Sequence, residues 1–316
     1  MEISVKSTER ERAGMLYGTA SFVLWGLLPI YWKLLQAVPS IEVLAHRIFW
    51  SFIVMAIVVV VTKGWGEIVS SAGDKRKLLL MFFCGVLISG NWYVYIMAVN
   101  TDQVIAASIG YFINPLVVVL LGVIVLKETL NRWQLTAIIL AAIGVLIVSL
   151  QYGKIPWIAL ILAGSFALYG LIKKMIQIDP ITGLTLETFF VMPVALVYIL
   201  KLEAGGGGAM GGSPFLISII LIGTGVITSA PLLLYAKGIG NTTFSMIGFL
   251  QYIAPSMKLF LGVIVFKEYF SFYHFLSFSF IWAGLAIFTL ANLGVLKAPY
   301  SVAVGHEEQD EAPRGA

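Results

Sequence analysis

Two sets of ionisable residues stand inside apolar runs of this 316-residue chain. Glu42 and His46 are one helical turn apart, and Trp50 follows one turn later, so the three share a helix face with Arg47 about 100° around it. In a second run Gln251, Pro255, Lys258 and Gly262 recur at i, i+4, i+7 and i+11, again one face. A charge within a membrane span costs roughly 3 kcal/mol even on the most lenient insertion scale, so such residues face a bundle interior or a watery cavity. Arg47 and Lys258 there would attract a carboxylate or another anionic group. His46 or Glu42 could carry a proton, histidine being able to change charge near neutral pH. Structural alternatives stand beside each reading. Glu42 follows Ser40, an expected N-cap, and a first-turn carboxylate is favourable without any function. Arg47 could snorkel or pair with Glu42, and Lys258 could belong to a buried lysine–glutamate pair that fixes packing.

Uncharged candidates lie at similar predicted depth. Asn91, Trp92 and Tyr95 follow one another on a third run, Tyr111 and Asn114 on a fourth, and Tyr252 stands beside Gln251. They offer hydrogen bonds or aromatic surface, although Trp and Tyr are also common at membrane interfaces. Pro115 and Pro255 each remove a helical hydrogen bond, which predicts kinks in their helices and carbonyls freed toward a cavity. A kink that only shapes packing is the competing reading.

These residues need elements to hold them, and composition says which. The chain is 59% hydrophobic and 11% charged, with a mean hydropathy of +0.96, against the ~25% charged content of soluble domains. Ten apolar runs near 14–35, 41–61, 78–99, 103–126, 133–150, 155–174, 183–202, 214–236, 242–266 and 272–294 are long enough to span a bilayer. The predicted fold is an all-α membrane protein of ten transmembrane helices. With the N-terminus inside, fourteen Lys and Arg residues collect on one side, and only Lys33, Lys154, Lys201 and Lys267 on the other. The positive-inside bias then puts both termini in the cytoplasm. The basic residues are scattered between apolar runs, which argues against nucleic acid as a partner. The single cysteine, Cys84, builds no disulfide framework and no cysteine metal site.

A shift of 140 residues places Ile113 on Ile253, Pro115 on Pro255, Leu121–Val125 on Leu261–Val265, and Lys127-Glu128 on Lys267-Glu268. With small gaps Gly26 falls on Gly170, Glu42 on Glu187, Tyr95 on Tyr235 and Gly144 on Gly284. The chain therefore divides into a segment 1–13, a first five-helix repeat 14–150, a second 151–296, and a polar tail 297–316 expected to be disordered. Five being odd, the second copy enters from the opposite side, an inverted repeat of the kind that suits alternating access.

Several strings resemble a known family. Glu42-Val43-Leu44-Ala45-His46-Arg47, Asn91-Trp92-Tyr93-Val94-Tyr95 and Gly110-Tyr111-Phe112-Ile113-Asn114-Pro115-Leu116 resemble the RarD branch of EamA-type transporters, in the drug/metabolite transporter superfamily. Met97 departs from it, standing where Trp is expected. The resemblance implies two EamA-like halves in a bacterial inner membrane and transport of small metabolites or drugs. It does not imply a substrate.

Together these readings predict a secondary transporter, an exporter or exchanger, with one central cavity. Its candidate lining or gating residues are Glu42, His46, Arg47, Asn91, Trp92, Tyr95, Tyr111, Asn114, Gln251, Tyr252 and Lys258, between kinks at Pro115 and Pro255. Its partners are the lipid bilayer and a small, amphipathic solute with an anionic group. No cofactor and no metal are expected. An ATP-driven pump lacks the GxxxxGK[ST] loop it would need. An intramembrane enzyme with His46 as acid–base group, or a channel, are the alternatives.

Overall fold

The computed structural model describes residues 2–101, 103–152, 157–176, 178–265, 272–292, 295–296 and 301–302. The expected tail, Lys154 and the Lys267-Glu268 half of the repeated dipeptide lie outside them, apart from Leu130–Asn131 pairing with Ser301–Val302.

The predicted runs appear in order as α1 (Glu2–Lys33), α2 (Ser40–Thr62), α4 (Lys75–Asn100), α5 (Val104–Ile124), α6 (Arg132–Tyr152), α7 (Trp157–Ile176), α8 (Pro180–Ala204), α10 (Phe215–Asn241), a broken segment, and α13 (Phe272–Asn292). Two short helices, α3 (Trp65–Ala72) and α9 (Ala209–Gly212), fall in connections between the predicted runs. The broken segment consists of α11 (Phe244–Leu250), α12 (Ile253–Phe260) and a π-helical turn Leu261–Val265. Among the described residues eight helices are long and apolar enough to cross a membrane, and shorter apolar helices cover Ser108–Ile124 and Arg132–Ile147. The chain is an all-α, multi-pass membrane protein. Large apolar side chains stand outward on it, among them Val61, Val194, Phe215 and Ile264, a surface suited to lipid and not to water.

Local chemistry sets the helix ends. Asp179 accepts from the backbone N–H groups of Ile181 and Thr182, with Pro180 at the first helical position, which starts α8. Lys63 adopts a left-handed conformation (φ 54°) and closes α2. Ser40 does not cap α2 as expected: the cap position is Pro39, whose extended backbone (φ −53°, ψ 132°) makes Ser40 the first helical residue. In the broken segment Pro255 cannot donate to the Gln251 carbonyl, which instead accepts from Ala254 at 3.3 Å. The helix turns at Gln251–Tyr252, four residues before its proline. α5 stays continuous through Pro115.

Packing follows a pattern. α6 lies on α13, α2 on α8, and α5 on α11. α1 packs on α10 and on α12, while α7 packs on α4 and on α5; α10 meets α2, and α8 meets α4. Exchange α1 with α7, α2 with α8, α4 with α10, α5 with α11–α12 and α6 with α13: the first three contacts map onto themselves, and the other six onto one another in pairs. The correspondence reaches single residues at the α6–α13 crossing. A Cβ on Gly144 would stand 2.7 Å from the Ser277 carbonyl oxygen, and a Cβ on Gly284 would stand 2.7 Å from that of Ala137. Gly144 and Gly284 are matched in the repeat, and so are Ala137 and Ser277.

The interior between α1, α7 and α10 is aromatic: Phe22, Trp25, Phe166, Tyr169 and Tyr235 meet ring to ring at 5.4–6.2 Å. Beside it, fully enclosed, Lys173 Nζ meets Glu187 Oε1 at 2.6 Å, and the Tyr169 hydroxyl donates to Glu187 Oε2 at 3.1 Å. Lys173, at the end of the predicted span 155–174, is thus a core residue.

Candidate functional site

The two cations singled out in the sequence come together. Arg47, eight residues into α2, points between two indoles: its guanidinium carbon is 4.3 Å from the ring centre of Trp92 on α4 and 4.7 Å from that of Trp32 near the end of α1. Its Nε donates to Thr228 Oγ1 on α10 at 3.2 Å. Lys258 on α12 holds its ammonium 4.2 Å over the ring of Tyr111 on α5, and Tyr111 meets Tyr95 edge-on at 5.8 Å. Arg47 lies close enough to Lys258, Tyr95 and Tyr111 for electrostatic coupling. Six helices thus supply one cation–aromatic cluster. Both cations keep partial exposure, and among the described residues neither has a carboxylate within 4 Å. Two like charges thus face π-faces, each contact of a kind worth about 0.5–2 kcal/mol.

Glu42 and His46 belong to a different place. His46 is fully buried, and its Nε2 stands 3.9 Å from Glu42 Oε1. Glu42 Oε1 accepts the Ala209 backbone N–H at 2.6 Å, reaching from the start of α2 to the glycine-rich connection after α8. Glu203, at the end of α8, joins them: the ligand atoms of Glu42, His46 and Glu203 all lie within 4.8 Å of one another. This second cluster sits at the Ser40 end of α2.

Three of the polar candidates fasten helices. Asn91 donates to the Leu162 carbonyl at 2.8 Å and to Ser165 Oγ at 2.9 Å, and Asn114 to the Ala163 carbonyl at 2.7 Å, so both hold α7. Tyr252 is fully buried and its hydroxyl donates to the Phe112 carbonyl at 3.3 Å. Gln251 is buried beside it, its side-chain nitrogen without a hydrogen-bond partner. Trp25 packs in the aromatic interior. Pro115 lies one turn beyond Tyr111 and leaves the Tyr111 carbonyl without its helical donor.

Sequence reasoning missed Trp32, Thr228 and Glu203. Trp32 and Glu203 sit at helix ends, where an aromatic or a charge is unremarkable. Thr228 had a signal, a Thr-Ser pair three residues before Pro231 inside an apolar run.

Comparison with known proteins bears on this geometry. Residues 12–150 match the EamA-like transporter family. "Uncharacterized transporter YojE" of Bacillus subtilis is 46% identical over 287 residues, covering 89% of this chain and 95% of that protein. "Protein RarD" of Escherichia coli is 38% identical, covering 89% and 95%, and "Protein RarD" of Streptomyces exfoliatus 39%, covering 90% of each. A solved structure titled only "Crystal structure of protein" superposes with a TM-score of 0.66 over 88% of this chain and 98% of its own, at 16% identity. That likeness speaks for the fold alone.

Proposed function

Because the chain belongs to the EamA-like transporter family, in its RarD branch, we propose that it carries a small, amphipathic metabolite or drug across the membrane by alternating access. The family makes it a membrane transporter of the drug/metabolite superfamily. The anionic group of the solute rests between Arg47 and Lys258, and its apolar part lies along Trp92, Tyr95 and Tyr111. One observation carries this reading: two cations on separate helices share one aromatic cluster with no carboxylate among the described residues to settle them. Charges left so in a low-dielectric interior are costly unless something uses them.

The mechanism rests on the repeat. Ten crossings in two inverted five-helix halves, 14–150 and 151–296, would let the halves exchange shapes and open the cluster to either face. The exchange pattern of helix contacts, down to Gly144 on Ser277 and Gly284 on Ala137, supports that plan. The distribution of Lys and Arg supports cytoplasmic termini, and the EamA and RarD relatives support an inner-membrane setting. Asn91, Asn114, Gln251 and Tyr252 act at one remove, holding α4, α5 and the α11–α12 break around the cluster; Pro255 follows the break that brings in Lys258, and Pro115 frees a carbonyl in the continuous helix that brings in Tyr111. We assign Glu42 and His46 to the gate at the Ser40 end of α2.

Counterflow in proteoliposomes tests this. The purified chain should exchange a labelled solute from a pool of amino acids, metabolites and antibiotics, and Lys258→Ala should abolish the exchange. Normal exchange in both Arg47→Ala and Lys258→Ala would refute the binding role.

A further inference from the structure

The Glu42–His46–Glu203 cluster has a composition that a solute path does not explain. His46 is completely enclosed, yet neither of its ring nitrogens has a hydrogen-bond partner, and Glu42 Oε2 is in the same position. Buried polar atoms are paired in the great majority of cases, and an exception calls for a partner of its own, such as an ion. Charge points the same way. Two carboxylates meet one imidazole, a group that carries at most one positive charge, in a part of the chain where uncompensated charge is costly.

The remaining contacts hold the ligands from behind. Glu42 Oε1 accepts from Ala209 N at 2.6 Å, Glu203 Oε1 from Met210 N at 2.9 Å and Glu203 Oε2 from Gly211 N at 3.1 Å. Each carboxylate oxygen keeps a second lone pair after such a bond, and backbone donors behind a carboxylate are the outer support that metal ligands use. Gly208 and Gly211 let the loop lie close against Glu203: a Cβ on Gly208 would overlap its carboxylate, and one on Gly211 would stand 2.9 Å from Oε2.

We propose that Glu42, His46 and Glu203 bind a first-row divalent transition metal ion, Zn2+ in its simplest form, that clamps α2 to the end of α8 and the glycine-rich loop. One imidazole with two carboxylates suits such an ion, whereas Mg2+ and Ca2+ favour oxygen ligands alone. Three protein ligands leave a fourth position for water, as in open zinc sites. Ligand atoms about 2.0–2.2 Å from zinc are roughly 3.3–3.6 Å apart in a tetrahedron, so the present spread of up to 4.8 Å must close by about an ångström. Gly205–Gly208 and Gly211-Gly212 make the loop able to follow. On the topology above, this clamp lies on the outer face and holds that side shut. The effect on transport rests on the carrier reading, but binding of the ion does not.

The test uses the full chain, purified without a histidine tag, stripped of metal and reconstituted in nanodiscs. Zn2+ is titrated against a chromophoric chelator, and Co2+ absorption reports the coordination. The proposal predicts one Zn2+ per chain, a rise in melting temperature on adding it, and binding at least about tenfold weaker in both His46→Ala and Glu203→Gln, a loss that even outer-shell changes produce. Lys258→Ala should bind Zn2+ normally. His46→Asn serves if the alanine variant does not fold. Absence of stoichiometric binding, or undiminished binding in the His46 and Glu203 variants, overturns the site. A His46-dependent pH response with no effect of Zn2+ also overturns it and makes the occupant a proton. If Zn2+ binds as predicted while no solute exchanges, the carrier reading fails and the metal site stands.

Discussion

The Arg47 guanidinium lies 4.3 Å from the centre of the Trp92 ring, and a second indole, Trp32, lies 4.7 Å from it. A planar cation between two rings is held by its shape as well as its charge, so lysine does not replace it. Each cation–π contact is worth about 0.5–2 kcal/mol, and 1.4 kcal/mol is a factor of ten. Arg47→Lys should therefore cut counterflow at least roughly tenfold while keeping the charge. Near-normal exchange would mean that charge alone matters there.

The enclosed Lys173–Glu187 pair, 2.6 Å apart with Tyr169 as a third member, should behave as a unit. Removing one partner of a buried pair costs about 3–5 kcal/mol, and replacing both with apolar residues often restores stability. Lys173→Met alone should destabilise strongly, and Lys173→Met with Glu187→Leu should recover most of the loss. Unfolding of both variants in mixed micelles would show it. Additive losses would make the pair two independent packing residues.

Glu128 ties the chain after α5 to the start of α11. Its Oε1 accepts from Phe244 N at 2.5 Å, and its Oε2 accepts from Ser245 N at 2.8 Å and Ser245 Oγ at 2.6 Å. This is an N-cap supplied from another helix. Loss of a cap costs about 0.5–2 kcal/mol, so Glu128→Ala should lower the melting temperature, and Glu128→Gln, which keeps one acceptor, should lower it less. Equal melting of all three proteins would contradict the capping role.

Much of this arrangement was legible in the sequence, and what was not has physical causes. Arg47 and Lys258 stood out because charge inside an apolar run needs a reason, and the structure brings them to one cluster. The Lys173–Glu187 pair escaped notice because Lys173 stands at a predicted span end, beside Lys174, where a lysine needs no explanation. Glu42 was legible as a first-turn carboxylate, but its acceptor role toward Ala209 lies 167 residues away, a distance that no local rule reaches. For the same reason Glu203 was not joined to His46. The proposed repeat draws part of its sequence signal from glycines, and at the α6–α13 crossing Gly144 and Gly284 leave room for nothing larger.

Gly144 and Gly284 give that repeat a direct check. Each lets the neighbouring backbone approach until a Cβ would stand 2.7 Å from a carbonyl oxygen, and Ser277 Oγ donates to the Gly144 carbonyl at 2.8 Å across the same crossing. Gly144→Val and Gly284→Val should each part α6 from α13 and lower stability, in the range of about 1–3 kcal/mol typical of overpacking. Thermal melts of the two variants should fall by similar amounts. Loss at one site only would argue against equivalent roles.

The most direct test of the central claim is counterflow of a labelled solute pool in proteoliposomes, comparing the parent chain with Lys258→Ala. Saturable exchange in the parent, lost in the variant although it folds and inserts, is the result expected of a carrier whose solute binds between Lys258 and Arg47. Undiminished exchange in Lys258→Ala would contradict that site. No exchange of any solute by well-folded protein would contradict the carrier itself.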